Sequence, residues 1–120
     1  MTKQSYQVYE FGPFRLDPVD RLVTKDRAPV PLPPRAFDAL LFLIRRGGHL
    51  VTKRELMAAL WPNSFVEEAN LTVAVSVLRK ALGDDDKKRK YIETVSKAGY
   101  KFVGEVREMA HRDLGTGSLF

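Results

Sequence analysis

Between Arg79 and Lys101 the chain carries eight basic side chains (Arg79, Lys80, Lys87, Lys88, Arg89, Lys90, Lys97, Lys101) against four acidic ones (Asp84, Asp85, Asp86, Glu93). Guanidinium and ammonium groups at this density suit phosphate oxygens, and each such contact on a nucleic-acid backbone releases counterions. Just upstream, Asn70 has the side-chain amide that pairs bidentately with adenine. A capped or solvated position in a first helical turn is its other reading. Val73, Ala74 and Val77 share the stripe of Asn70, and their only base chemistry is apolar contact with thymine methyls or groove shape. Packing against another protein is the alternative for these three. Thr72 and Ser76 flank the stripe with hydroxyls suited to phosphate oxygens or to water.

A helix and a hairpin are needed to hold these groups. Leu71, Val75, Leu78 and Leu82 recur at i, i+4, i+7 and i+11, the buried seam of an amphipathic helix. Its expected start lies near Ser64 to Glu67, which has capping-box spacing, and Gly83 ends it. After a charged loop, Tyr91 to Val95 and Tyr100 to Val103 read as two strands around Ser96-Lys97-Ala98-Gly99. Gly99 is expected to supply the positive φ of the turn. A helix joined to such a hairpin can fill a DNA major groove while the hairpin reaches the backbone or minor groove beside it.

Upstream elements supply the scaffold. Tyr6 to Phe11, Phe14 to Asp17, Arg21 to Thr24 and Val30 to Leu32 read as an antiparallel meander broken by turn residues. Pro33-Pro34 opens a first helix, with Phe37, Leu40, Leu41 and Ile44 on one face and Gly47-Gly48 as its stop. Thr52 and Glu55 form a capping box that opens a second helix. Leu56, Ala59 and Leu60 give that helix its inner stripe, and Trp61-Pro62 stops it. Lys53 and Arg54 in its first turn can clamp a phosphate backbone, or stand as ordinary exposed residues. Residues 1–5 read as a tail, and residues 107–120, which lack periodicity, as a flexible tail or linker.

The chain has 120 residues, one domain by length, and 44% apolar residues, enough for a core. Its net charge of +5 suits a polyanionic partner. The absence of cysteine removes disulfides, thiolate catalysis and cysteine-based zinc sites, and fits a reducing cytoplasm. No apolar run is long enough to cross a membrane, and the N-terminus lacks the apolar region of a signal peptide. Enzymatic activity is not expected. His49 and His111 have no nucleophile or carboxylate beside them by motif, and Gly47-Gly48 is better read as a helix stop than as a phosphate-cradling loop. Asp84-Asp85-Asp86 lack the spaced ligands of a calcium loop. Lys87 to Lys90 form a phosphate patch or a solvated loop offsetting those aspartates. No cofactor or metal is called for.

Trp61-Pro62, then Glu67 to Leu82 (EEANLTVAVSVLRKAL), then Tyr91 to Phe102 (YIETVSKAGYKF) closely resemble the winged-helix effector domain of OmpR/PhoB-type transcription factors, and within them the CadC-like regulators. Tyr9 to Phe14 and Leu32 to Phe37 match as well, so the resemblance covers residues 6–106. It implies an α+β winged helix-turn-helix: an N-terminal four-stranded antiparallel sheet, three helices and a C-terminal β-hairpin wing. The implied function is sequence-specific binding of double-stranded DNA by a transcriptional regulator in the cytoplasm. The third helix would read the major groove through Ala69, Asn70, Val73, Ala74 and Val77. Arg79 and Lys101 fall at phosphate-contact positions, with Lys53, Arg54, Thr72, Ser76, Lys80 and Lys97 as further candidates.

The resemblance also implies that the loop holding Trp61, Asn63, Ser64 and Phe65 contacts RNA polymerase, and that copies bind direct repeats as head-to-tail dimers. Such regulators often continue into a membrane span or sensor, so the chain reads as a minimal factor or as a piece of a larger one. It departs from its relatives in two places. Small apolar residues stand where many members carry arginine, histidine or threonine, and Ser96 stands where an arginine often enters the minor groove, leaving Lys97 as the substitute. The rival function is a winged helix that acts mainly as a protein-interaction module, with weak or non-specific DNA binding.

Overall fold

The computed structural model describes residues 4–84 and 87–113. In chain order the elements are β1 (Gln4–Phe11), β2 (Phe14–Asp17), β3 (Leu22–Lys25), β4 (Ala28–Pro29), α1 (Pro34–Arg45), β5 (Val51–Thr52), α2 (Lys53–Leu60), α3 (Glu68–Leu82), β6 (Ile92–Val95), β7 (Gly99–Phe102) and β8 (Arg107–Asp113). They fall into two compact units. The described residues of Met1–Val30 and Glu105–Phe120 make one, and Pro31–Gly104 makes the other.

The first unit is an antiparallel sheet ordered β4-β3-β2-β1-β8. Gly12 takes φ 54 in the two-residue turn between β1 and β2, where Phe11 pairs with Phe14. Asp26 (φ 50) and Arg27 (φ 72) both adopt left-handed backbone between β3 and β4. That is the primed turn whose twist matches a hairpin. Tyr9, Phe11, Phe14, Leu16 and Val23 are buried and share one face of the sheet by their register, while Val8, also buried, points to the other face.

Three expectations change here. The fourth strand lies at Ala28–Pro29 rather than Val30 to Leu32, because the turn uses only Asp26-Arg27 and so sets the register Lys25↔Ala28. Residues 107–113 form a fifth strand, not a tail. It pairs with β1 from Gln4↔Asp113 to Glu10↔Arg107, which also draws Gln4 and Ser5 out of the expected N-terminal tail. The strand left no apolar signature because it is an edge strand whose Arg107, Glu108, Met109 and Ala110 are all exposed. Backbone pairing holds it, helped by an Arg107–Glu10 ion pair at 2.8 Å. The rest of the expected tail, 114–120, lies outside the described residues.

The second unit packs α1 against α2 and α3 and adds a small sheet ordered β5-β7-β6. Pro34 opens α1, and Gly47 (φ 61) and Gly48 (φ 84) follow its end in left-handed backbone. Ala36, Phe37, Ala39, Leu40, Leu43 and Ile44 form its buried face. Leu41, expected there, is only half-buried. In α2 the buried residues are Leu56 and Leu60, while Ala59 is exposed. In α3 the seam Leu71, Val75, Leu78 and Leu82 is buried as its spacing requires, and Gly83 ends the helix at φ 69. The helix begins later than Ser64. Its N-cap is Glu67, with no side-chain cap, so the Ser64–Glu67 capping box does not form.

The Thr52–Glu55 capping box does form. Glu55 N–H donates to Thr52 Oγ1 at 3.1 Å and Thr52 N–H donates to Glu55 Oε1 at 3.0 Å. Arg46 adds an ion pair to Glu55 at 2.6 Å. The Arg46 guanidinium first, and the Thr52 N–H second, lower the Glu55 pKa from 4.5 to about 2. Above about pH 5 the unfolded and folded carboxyls are both ionised and the full stabilisation is present. As pH falls from 4.5 towards 2 the unfolded chain takes up the proton first, and that stability is lost. A melting-temperature series over this range should therefore fall less steeply in Glu55→Gln than in the parent chain. Parallel curves would remove the assignment.

Candidate nucleic-acid interface

The outer face of α3 is set by its inner one. Leu71, Ala74, Val75, Leu78 and Leu82 are buried, which leaves Asn70, Val73, Val77 and Lys80 in line on the opposite side, all exposed. Val73 is 60% and Val77 37% exposed, high for side chains of this size in a folded domain. Ala74, expected on this outer stripe, is 7% exposed. It stands at i+3 from Leu71 and i−4 from Leu78, so it completes the core stripe instead. The Asn70 amide donates to Glu67 O at 3.3 Å within the first turn, its side chain otherwise open to solvent. Thr72 Oγ1 leans back on Glu68 O at 3.5 Å, and Ser76 is exposed beside it.

The wing is fastened to this helix. Arg79 donates from Nη2 to Ile92 O at 2.9 Å and to Thr94 Oγ1 at 2.7 Å, and from Nε to Ile92 O at 3.3 Å. Its guanidinium also sits 5.6 Å from the Tyr100 ring centroid. Expected as a phosphate ligand, Arg79 is engaged within the protein, joining α3 to β6 and β7. Tyr100 is buried at 6% exposure. A cleft of about 480 Å³ runs between helix and wing and brings together Thr72, Ser76, Arg79, Lys80 and Arg89.

At the wing tip the strands pair Val95↔Gly99 across a three-residue loop. The positive φ belongs to Lys97 (φ 62), not to Gly99. Gly99 is needed for a different reason: a Cβ there would lie 2.0 Å from Val51 O, where β7 meets β5. Ser96 and Lys97 are exposed. Lys101 pairs across the hairpin with Glu93 at 3.5 Å.

Below the tip, Lys53 donates to Glu68 Oε2 at 2.8 Å, and that hydrogen bond raises the lysine pKa above 10.5. Arg54, Lys80 and Lys97 are exposed and carry no ion pair among the described residues. Of the cations expected to meet phosphate, these three reach solvent most openly, while Lys53 and Lys101 must first leave a carboxylate. No sequence signal marked either pairing, since Lys53 and Glu68 are brought together only by the way α2 and α3 pack.

In the sequence Asp84 has no role beyond the charge that Lys87 to Lys90 offset. The structure buries it at 8% exposure. Its carboxylate accepts the backbone N–H groups of Lys90 at 2.6 Å, Tyr91 at 3.2 Å and Ile92 at 2.9 Å. Arg89 donates to the Asp84 carbonyl at 3.1 Å. The loop between α3 and the wing is thus clipped at both its ends. Asp85 and Asp86 lie outside the described residues. Among the described residues no group of three or more His, Cys, Asp or Glu side chains is placed to hold a metal.

Trp61, Asn63, Ser64 and Phe65 line one cleft of about 610 Å³ with Arg54 and Met57. Phe65 is fully exposed, and the Arg35 guanidinium lies 5.7 Å from the Trp61 ring centroid. No helix among the described residues is long and apolar enough to cross a membrane.

A family model described as "Transcriptional regulatory protein, C terminal" matches residues 27–102. The transcriptional regulator HilA of Salmonella typhimurium is 32% identical over 98 residues, which cover 82% of this chain but only 17% of HilA. Among solved structures, the DNA-binding domain of Escherichia coli CadC matches with a TM-score of 0.74 and 30% identity, covering 87% of this chain and 98% of that domain. The Klebsiella pneumoniae RstA DNA-binding domain, solved in complex with the RstA box, gives a TM-score of 0.69 and 30% identity over 79% of this chain and 95% of that one.

Proposed function

This chain belongs to the C-terminal domain family of transcriptional regulatory proteins, of the winged-helix OmpR/PhoB type, and from that membership we propose that it binds double-stranded DNA sequence-specifically as part of a transcriptional regulator in the cytoplasm. The observation that carries the reading is the outer face of α3. Asn70, Val73, Val77 and Lys80 are exposed along it, while the opposite face is buried and the wing is tied to its C-terminal turn by Arg79. In this reading α3 enters the major groove, and the exposed cations flanking it (Arg54, Lys80 and the wing-tip Lys97) meet phosphates. Thr72, Ser76, Lys53 and Lys101 add contacts as they exchange their internal partners for phosphate oxygens. Chemical steps are not part of this function.

The α2–α3 loop with Trp61, Asn63, Ser64 and Phe65 is proposed as the surface offered to RNA polymerase. Its exposed aromatic and open cleft support this. With few polar base readers per monomer, specificity is proposed to come from head-to-tail pairs on direct repeats, where the second contact benefits from a high effective concentration.

Salt dependence tests the electrostatic half of this reading. Anisotropy titrations across a range of salt should give a steep linear loss of log K with log salt. Lys80→Ala and Lys97→Ala should each shrink the slope by about 0.9 while weakening all duplexes alike. An affinity that barely responds to salt would point instead to an apolar protein interface.

A further inference from the structure

We infer that Val73 and Val77 form a reader of pyrimidine C5-methyl groups, so that this chain selects sites by thymine, and accepts 5-methylcytosine, at two positions about two base pairs apart. The inference rests on the DNA-binding reading above and adds the chemistry of what is read. Asn70, Val73, Val77 and Lys80 stand at i, i+3, i+7 and i+10, so a single line along α3 runs from an amide through two isopropyl groups to an ammonium. All four are exposed, and Val73 is the more open of the two valines, at 60% against 37%.

The valines offer a base edge neither hydrogen-bond donor nor acceptor. In the major groove the only apolar feature of a base edge is the C5-methyl of thymine, and 5-methylcytosine carries the same group at the same ring position. Four residues of helix rise about 6 Å, close to two base-pair steps of about 3.4 Å. The ends of the line suit the same surface: Lys80 lies at the phosphate end, and the exposed Asn70 amide can exchange its 3.3 Å bond to Glu67 O for an adenine edge. Two side chains make too small an apolar patch for a protein interface, which buries roughly 800 Å² on each partner.

The test begins with a duplex enriched by the chain from random DNA. Each thymine is then replaced in turn by deoxyuridine, which removes the methyl and leaves every hydrogen-bonding group in place. At two positions the affinity should fall about fourfold each, the effect of losing one buried methyl-sized group. At one of these positions Val73→Ala, which shortens the apolar reach, should reduce the sensitivity, and at the other Val77→Ala. Alanine keeps the helix, being its best former, and circular dichroism confirms the fold of each variant. Placing 5-methylcytosine rather than cytosine at either position should tighten binding by a similar factor. Uniform tolerance of deoxyuridine in a duplex that is still bound sequence-specifically overturns the methyl reader and leaves the DNA-binding reading standing. Failure to enrich any sequence overturns both.

Discussion

Replacing Asp84 with alanine is expected to lower the melting temperature by roughly 10–15 °C, the equivalent of about 3 kcal/mol in a domain of this size. The carboxylate is buried and accepts three backbone N–H groups, at 2.6, 3.2 and 2.9 Å, from Lys90, Tyr91 and Ile92. Hydrogen bonds to a charged acceptor are worth more than neutral ones, and alanine leaves the donors without a partner where water enters poorly. The foot of the wing would loosen, so DNA affinity should fall with stability although the Asp84 carboxylate is itself buried. Asp84→Asn retains one neutral oxygen acceptor and should lie between the two. Thermal melts followed by circular dichroism give the ranking; an alanine variant that melts with the parent would show that the clip is dispensable.

Gly99→Ala is expected to cost about 3 kcal/mol and to displace the wing. The added Cβ would lie 2.0 Å from Val51 O and 2.9 Å from both Thr52 Cα and Val51 C, so every obstructing atom belongs to backbone and none can swing aside. Relief requires β5 to part from β7. That breaks the pairs Val51↔Tyr100 and Thr52↔Gly99 and disturbs Thr52, the N-cap of α2. Gly47→Ala is the informative comparison. Its Cβ would meet nothing within 4 Å, and only the left-handed backbone at φ +61 opposes it, a penalty of about 1–2 kcal/mol. Chemical denaturation should rank the two variants in that order. Equal costs would mean that the close approach of β5 and β7 relaxes freely.

The parts of this molecule legible in its sequence are those whose cause is local. The Thr52–Glu55 capping box needs only four residues, and it forms as its spacing requires. The seam of α3 needs only its own periodicity. Ala74 was misplaced because alanine carries little hydrophobic signal of its own, and only the helical geometry between Leu71 and Leu78 puts it inside. Asp84 was illegible for a different reason: its three partners lie six to eight residues on, across a loop whose path no pattern specifies. The edge strand β8 has no buried stripe to announce it, and β5 is too short, at two residues, to show alternation. Arg79 and Lys53 carried the charge expected of phosphate ligands. What the sequence could not convey is that Ile92 O and Thr94 hold the first, and Glu68 the second. Among the candidate base readers, the exposure of Val73 and Val77 follows from their place opposite the buried seam of α3.

The most direct test is selection of bound sequences from a pool of random duplex DNA, at low and at near-physiological salt. The α3–wing surface predicts an enriched motif, repeated in tandem, that contains paired thymines and survives at the higher salt. Binding without enrichment, or none even at low salt, would contradict sequence-specific recognition and turn the exposed face of α3 into a surface for another kind of partner.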